Sequence, residues 1–296
     1  MHVSEGKTIL LTGGTGFLGS NLLANLVSAG SRVILLKRTT SHTGRISALI
    51  DGLVVYDIDV FPLDRVFKEN SIDMIIHCAT DYGRKEKVPL DLLDANLFLP
   101  LKLLELGVEN GVSCFINTDT VLDKNISFYS LSKSQFKDWL KLYSQQMTCI
   151  SVALEHFYGP FDDESKFVTF IIRSILRNVD RIALTSGAQK RDFIYIDDVV
   201  NAFEIILKHS STLSNGYYDF QVGSNKSVSI RDFVCLAKRI SGNETTLLDF
   251  GALPYREHEV MESNSDTSAV RALGWHAKTS LEAGLKQTID MERGAL

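Results

Sequence analysis

The chain has 296 residues, 45% of them hydrophobic and 23% charged, with a net charge of −5. Those proportions belong to an ordinary globular protein and exclude a disordered or collagen-like chain. The acidic balance excludes a general nucleic-acid or anionic-membrane surface, while leaving room for a local basic pocket that holds phosphate. The four cysteines, Cys78, Cys114, Cys149 and Cys235, show no metal-ligand or redox spacing and read as free thiols of a reducing compartment. Residues 1–7 carry no signal-peptide core, and no stretch is apolar enough to span a bilayer. A cytoplasmic protein with no metal, no nucleic acid and no membrane span is expected.

The run from Lys7 to Thr12 reads as a buried strand. Gly13-Gly14-Thr15-Gly16-Phe17-Leu18-Gly19 follows, and then Leu22, Leu23, Leu26 and Val27 recur at helical spacing up to Gly30. In this strand–turn–helix setting Gly13 permits a tight turn, Gly16 lets the backbone approach a pyrophosphate, and Gly19 lets the helix pack on the strand. The helix N-terminus offers free N–H groups to phosphate. The alternative is a glycine turn that binds nothing. A second strand, Arg32 to Leu36, ends at Lys37-Arg38-Thr39-Thr40-Ser41, where an NAD site would carry an acidic residue for the ribose hydroxyl. Cations and hydroxyls there suit a 2′-phosphate, so NADP(H) is preferred and NAD(H) possible. The bland reading is a solvated loop with two chance basic residues.

The third strand, Leu53 to Tyr56, leads to Asp57-Ile58. Asp57 would accept from an adenine amino group or cap the next helix. The fourth, Asp73 to Ala79, contains His77, read as a core histidine, and brings Cys78 and Ala79 to the cofactor edge. The polar run from Thr80 through Tyr82 to Lys85 lies where a cofactor ribose would pass. A helix from Leu90 to Leu106 carries Asn96. The fifth strand, Ser113 to Asn117, delivers Thr118, Asp119 and Thr120 to the C-terminal edge of the sheet, where open α/β sheets bind ligands.

Phe136, Leu140 and Tyr143 stand at helical spacing, so a helix is expected through Phe128–Tyr143, and it sets Tyr129 and Lys133 one turn apart on one face. An ammonium beside a phenol favours the phenolate, and such a phenol can act as a general acid. The bland alternative is an amphipathic helix with one exposed lysine. The sixth strand is Cys149 to Leu154. Glu155 to Pro160 then reads as a loop, Phe167 to Leu176 as a helix, Arg191 to Ile196 as an approach to a helix starting at Asp197-Asp198, and Tyr217 to Val222 as a strand. Short mixed elements follow through Trp275 and Leu285. The predicted class is α/β: a Rossmann-type, doubly wound parallel sheet with helices on both faces, plus a smaller mixed C-terminal substrate domain. The dinucleotide-binding domain is placed at 1–158 and 193–224, the substrate domain at 159–192 and 225–296.

With the glycine turn, Ile75-Ile76-His77-Cys78-Ala79, the Thr118 region, Tyr129/Lys133, Tyr158-Gly159-Pro160, the run from Arg191 to Asp198, Val222-Gly223-Ser224 and Gly274-Trp275 in this order, the chain resembles an extended short-chain dehydrogenase/reductase. The group is that of the nucleotide-sugar epimerases, dehydratases and reductases. Within it the chain most resembles the CDP-paratose and CDP-abequose synthase branch, C4-ketoreductases of CDP-4-keto-3,6-dideoxyglucose. The similar stretches are Ala79 to Arg84, Asn117 to Thr120, Leu154 to Pro160, Lys166-Phe167 and Gln189 to Phe193.

The resemblance implies that Tyr129 protonates the sugar C4 oxygen. Lys133 would lower the tyrosine pKa and bond the nicotinamide ribose. Thr118 would donate to the same oxygen, with Thr120 a close competitor because only eleven residues separate Thr118 from Tyr129. Arg191 and Arg256 would meet the diphosphate, with surface ion pairing as the alternative for each. Asp119, His156, Lys166 and Phe167 would line the substrate site. The cofactor set comprises Gly13, Thr15, Gly16, Phe17, Leu18, Gly19, Lys37, Arg38, Asp57, Ile58, Cys78, Ala79, Thr80, Tyr82 and Asn117, with Tyr129 and Lys133. Related dehydratases have Thr-Asp-Glu where this chain has Thr118-Asp119-Thr120, and a hydroxyl cannot replace that glutamate as a base near neutral pH. An NADPH-dependent ketoreductase of a CDP-linked 4-keto-dideoxy sugar for surface polysaccharide is therefore expected, acting as a homodimer through two helices per subunit, as relatives often do. A nucleotide-sugar 4-epimerase is the alternative enzyme. A degenerate NADP-sensing binding protein is the non-enzyme alternative.

Overall fold

Aliphatic runs with turn residues at both ends give short buried strands, and the apolar positions at three- and four-residue spacing between them give helices that cover the sheet. The computed structural model describes residues 6–83, 89–257 and 259–296. In chain order the first part comprises β1 (Thr8–Thr12), α1 (Phe17–Ser28), β2 (Arg32–Lys37), β3 (Val54–Asp57), α2 (Leu63–Glu69), β4 (Met74–His77), α3 (Pro89–Leu93), a π-helical turn (Asp94–Phe98), α4 (Leu99–Glu109), β5 (Cys114–Thr120), α5 (Phe128–Tyr143) and β6 (Thr148–Leu154). Then come β7 (His156–Tyr158), α6 (Phe167–Leu176), β8 (Arg181–Leu184), β9 (Lys190–Tyr195), α7 (Ile196–Ser210), β10 (Gly216–Val222), β11 (Ser227–Ser229), α8 (Ile230–Ser241), β12 (Leu247–Phe250), α9 (Ser268–Ala272) and α10 (Leu281–Ala295).

The central sheet has seven strands in the order β10-β6-β5-β4-β1-β2-β3, and the run from β5 to β3 is parallel. The order reverses at β1, so the segments after β1 and β4 diverge there, at the place where such sheets bind ligands. One face of the sheet is packed by α2, α4 and α5. Phe136 and Leu140 of α5 are fully buried with Phe115, Leu103 and Met147. Each such side chain contributes about 1.5–3 kcal/mol by burial, and together they fix the rotation of α5, hence the heading of Tyr129 and Lys133.

The chain divides into two compact units, 1–153 with 203–220, and 154–202 with 221–296. Residues 154–158, 193–202 and 221–224, placed with the dinucleotide part from sequence, group with the second unit. That unit holds a three-stranded sheet, β11-β9-β7, and a two-stranded one, β12-β8. The expected loop at His156 to Tyr158 is instead a strand, parallel to β9 with His156 opposite Phe193. Three residues are too few for a periodic signal, and the partner that makes them a strand is distant in sequence. The expected short C-terminal elements include two long helices. α8 is capped by Ser229 and ended by Gly242 at φ 71°, and α10 is capped by Ser280.

Candidate active site

The turn after β1 is built for close backbone approach. Gly13 sits at φ 69°, and a Cβ there would lie 2.5 Å from the backbone nitrogen of Ala79. A Cβ on Gly19 would lie 2.1 Å from the Gly13 carbonyl oxygen. Neither position admits a side chain, so α1 starts tight against the turn. Its N-cap is Gly16, with no side-chain cap bond. The N-terminus of α1 is the dipole-positive end, which favours an anion such as a pyrophosphate. Thr15 lies within this turn.

At the far end of β2, Lys37 and Asp57 are register partners across β2 and β3, and Lys37 Nζ stands 3.4 Å from Asp57 Oδ2. Asp57 Oδ2 also accepts from Thr39 Oγ1 at 2.8 Å. Asp57 does not cap α2, whose N-cap is Pro62, so that alternative falls. Of the two cations expected for a 2′-phosphate, Lys37 is already engaged and Arg38 is exposed. Ile58 is tied by its backbone N–H to the Lys37 carbonyl.

The second cluster forms around the start of α5. Ser127 Oγ accepts from the Ser130 N–H and Ser130 Oγ accepts from the Ser127 N–H, each at 3.1 Å, a reciprocal cap that fixes the helix end two residues before Tyr129. Asn96, buried in the π-helical turn, fastens the neighbouring loop to this helix. Its Oδ1 accepts from Thr80 Oγ1 and the Asp81 N–H, and its Nδ2 donates to the Asp81 carbonyl and to Ser132 Oγ. The Tyr82 ring lies 5.1 Å from the Tyr129 ring. Arg84 and Lys85, expected in the same loop, lie outside the described residues.

Tyr129 is partly buried, and the Thr120 and Thr80 hydroxyls are near enough to its phenol to favour the phenolate. The net shift of its pKa runs opposite to the lowering expected from Lys133. Burial pushes the phenol above its ordinary value, the Tyr82 and Asp119 fields add to this, and the Thr120 and Thr80 hydroxyls only partly offset it. Lys133 is buried, its ammonium has no hydrogen-bond partner among the described residues, and burial pulls its pKa down against the Asp119 and Cys78 fields. Burial likewise pushes the Cys78 thiol up to about 12. The Asn117 side-chain amide is also buried without a partner among the described residues. Unpaired polar atoms at such depth are costly, and a buried amine and amide without partners fit the hydroxyls and carboxamide of a nicotinamide riboside.

The two candidate threonines differ in their partners. Thr118 Oγ1 is buried and donates to the His77 carbonyl at 3.0 Å, whereas Thr120 is among the groups that lower the Tyr129 pKa. Asp119 does not present a free carboxylate to substrate. It is buried, with Oδ2 accepting from Ser151 Oγ at 3.1 Å and 3.7 Å from Lys137 Nζ. His77 is buried, with Nδ1 2.8 Å from Thr12 Oγ1. Among the described residues no group of three or more His, Cys, Asp or Glu side chains could hold a metal ion.

The remaining predicted residues belong to the second unit. His156 Nδ1 lies 3.3 Å from Glu155 Oε2. Lys166 precedes α6, its ammonium 5.8 Å from the Phe157 ring centroid, and Phe167 opens that helix, partly exposed. Arg191 is committed in this structure, donating to the Val260 carbonyl at 2.5 Å and pairing with Glu259. Arg256 is exposed, on the segment that carries Glu259. Sequence reasoning missed Ser127, Ser132, Ser151 and Lys137, and gave Asn96 no role. A serine pair three apart before an apolar-spaced helix, and an asparagine inside an apolar helix, were the available signals.

A Rossmann-type sheet, a close-packed glycine turn after β1 and a Tyr/Lys pair one turn apart on α5 define a dinucleotide-dependent enzyme. The chain belongs to the NAD dependent epimerase/dehydratase family, whose profile matches residues 9–223. It is 35% identical over 97% of its length to a CDP-abequose synthase of Salmonella muenchen, covering 98% of that protein. It is 29% identical over 95% of its length to the CDP-abequose synthase of Salmonella typhimurium, covering 97% of that one. The fold matches the crystal structure of UDP-glucose 4-epimerase from Thermotoga maritima with UDP-glucose at a TM-score of 0.84, with 23% identity and coverage of 97% of this chain and 99% of that one.

Proposed function

We propose that this enzyme is an NADPH-dependent C4-ketoreductase of a CDP-linked 4-keto-dideoxy sugar, acting in the cytoplasm in the synthesis of a surface-polysaccharide sugar. The observation that carries this reading is a partly accessible Tyr129, its phenol kept protonated by burial and near the Thr120 hydroxyl, with a buried Lys133 one turn further along α5. The chemistry the coenzyme supplies when bound is the hydride for the C4 carbonyl carbon. Tyr129 passes its phenolic proton to the C4 oxygen as that oxygen gains charge. Thr120 holds the same oxygen by hydrogen bond, and the Lys133 ammonium stabilises the phenolate left behind. Thr120 also speaks against dehydration, since no carboxylate stands at that position to remove a proton from carbon. Substrate recognition falls to Arg191 and Arg256 for the diphosphate, with His156, Lys166 and Phe167 nearby in sequence or strand.

Support for a CDP-linked substrate comes from similarity to the CDP-abequose synthases over nearly the whole chain. Support for NADPH now rests on Arg38 more than on Lys37. A homodimer is supported by an apolar stripe on α5, where Phe128, Leu131, Trp139 and Leu142 are all exposed. No helix among the described residues is long and apolar enough to cross a membrane. The Lys37–Asp57 contact favours one second reading, a 4-epimerase that keeps NAD bound. The deciding experiment mixes purified protein with NADPH and a CDP-4-keto-3,6-dideoxy sugar. NADPH oxidation with a reduced sugar identified by mass spectrometry supports the reductase. NAD retained through purification, with interconversion of C4 epimers and no net oxidation, supports the epimerase.

A further inference from the structure

The loop after β4 sets an exposed aromatic ring beside the proton-donating phenol. The Tyr82 and Tyr129 ring centroids are 5.1 Å apart, with the planes inclined at 40°, inside the range of a packed aromatic pair. Tyr82 is exposed and Tyr129 partly buried. Both rings are held by one buried side chain. Asn96 Oδ1 accepts from Thr80 Oγ1 at 3.1 Å and from the Asp81 N–H at 2.8 Å. Its Nδ2 donates to the Asp81 carbonyl at 2.8 Å and to Ser132 Oγ at 3.0 Å. Ser132 Oγ donates in turn to the Tyr129 carbonyl at 2.8 Å. All the hydrogen-bonding capacity of the Asn96 amide is therefore used. On the other side of Tyr82 the Gly83 N–H donates to Asp81 Oδ1 at 2.9 Å. Tyr82 is thus bracketed by bonded neighbours, and the same amide ties it to the turn of α5 that carries Tyr129. An exposed ring gains little from core packing, so a tie of this kind serves contact with a ligand. A ring fixed in advance loses little freedom when it is covered.

We infer that Tyr82 is a specificity-determining residue: its ring is an apolar wall for a deoxygenated carbon next to the sugar C4. The inference rests on the reductase reading, in which Tyr129 meets the C4 oxygen. A group packed against Tyr129 then lies toward one of the two carbons that flank C4, C3 or C5. In a 3,6-dideoxy sugar C3 is a methylene and C5 carries the C6 methyl, so either edge offers only C–H to the ring. A hydroxyl in the same place would give up its water to the ring face and find no partner there. The two edges present one chemistry, and sugars that restore one hydroxyl at a time tell them apart. Tyr129 and Thr120 supply the polar contacts at C4 and Tyr82 the apolar one beside it, the usual division of labour in a small-molecule site.

The test is equilibrium binding to the full chain saturated with NADP+. Calorimetric titrations use three CDP-hexoses of one configuration at C4: the 3,6-dideoxy sugar, the sugar with a 3-hydroxyl and the sugar with a 6-hydroxyl. The wild type should bind the dideoxy sugar about 100-fold more tightly than at least one of the other two, the discrimination an apolar pocket achieves against one hydroxyl. Tyr82→Ser should narrow that ratio by about tenfold or more, while Tyr82→Phe keeps it. Ratios that are flat in the wild type, or unmoved in Tyr82→Ser, overturn the inference. So does a ratio that collapses equally in Tyr82→Phe, because the phenolic hydroxyl and not the ring would then be the contact. A loss of NADP+ affinity in Tyr82→Ser with the sugar ratio intact would place the ring on the coenzyme and overturn it as well. A wild type that shows these ratios yet fails to oxidise NADPH with the 4-keto sugar overturns the reductase reading and leaves the apolar wall standing. A wild type that binds none of the three sugars overturns both.

Discussion

The Thr118 hydroxyl donates across 3.0 Å to the backbone carbonyl of His77, its neighbour strand's last residue. That bond commits the one hydrogen Thr118 has to give and leaves Thr120 to meet Tyr129. Thr120→Val is therefore expected to lower kcat about 100-fold, the loss seen when one donor to a developing oxyanion is removed, with little change in melting temperature. Thr118→Val strips a buried carbonyl of its partner and costs about 1–3 kcal/mol of stability with a smaller loss of turnover. Steady-state kinetics and thermal melts of the two variants separate these roles. A turnover defect confined to Thr118→Val would reverse the assignment.

Lys133 carries a buried charge with no hydrogen-bond partner among the described residues. Such a residue serves the ligand at the expense of the free protein. Lys133→Met fills similar volume with apolar atoms. The coenzyme-free variant is expected to melt higher than the wild type, by about 2 °C or more, while turnover disappears. A lower melting temperature in the variant would mean that Lys133 is paired in solution.

The parallel strands, the glycine turn and α5 were legible because each is a local pattern: an aliphatic run, a spacing of glycines, apolar residues at helical period. The choice between Thr118 and Thr120 was not, because residues two apart on a strand face the same side. The His77 carbonyl that separates them lies on another strand. Spacing also showed that Tyr129 and Lys133 share a helix face but not how deeply they sit, and depth reverses the sign of the tyrosine shift. The pairings of Lys37 with Asp57 and of Arg191 with Glu259 join residues far apart in sequence. Each takes up a cation that looked free to bind phosphate.

Arg38 is left as the exposed cation at the end of β2. If it grips a 2′-phosphate, Arg38→Ala should raise the KM for NADPH at least tenfold, about 1.4 kcal/mol of binding, while leaving NADH kinetics nearly unchanged. Equal effects on both coenzymes would remove the case for NADPH preference.

Arg191 is paired with Glu259 and donates to the Val260 carbonyl. A diphosphate that uses Arg191 must share it with that carboxylate or displace it. Glu259→Gln removes the competing charge, so the KM for the nucleotide sugar should fall several-fold with kcat little changed. Arg191→Lys loses the planar fork and should raise it. Isothermal titration with CDP alone gives the same comparison free of the chemical step. A weaker CDP affinity in Glu259→Gln would show that Glu259 orders Arg191 for binding and does not compete with the ligand.

His77 supplies a test of stability against pH. It is fully buried, with Nδ1 2.8 Å from Thr12 Oγ1. Burial, with the Lys133 charge, holds its pKa well below the usual 6.5. The unfolded chain therefore takes up a proton near pH 6.5 that the folded chain refuses. Stability from the neutral imidazole is fully present above that pH and is lost as the pH falls toward the folded-state pKa, at about 1.4 kcal/mol per pH unit. His77→Gln has no such titration. It should be the less stable protein at about pH 7.5, because its amide replaces a fitted ring, and its deficit should narrow steadily between about pH 6.5 and about pH 5. Chemical denaturation of the two proteins side by side measures the gap, and comparing them cancels the carboxylates that titrate in both. A gap that stays constant across that range would mean that His77 takes up its proton in the folded protein as readily as in the unfolded one.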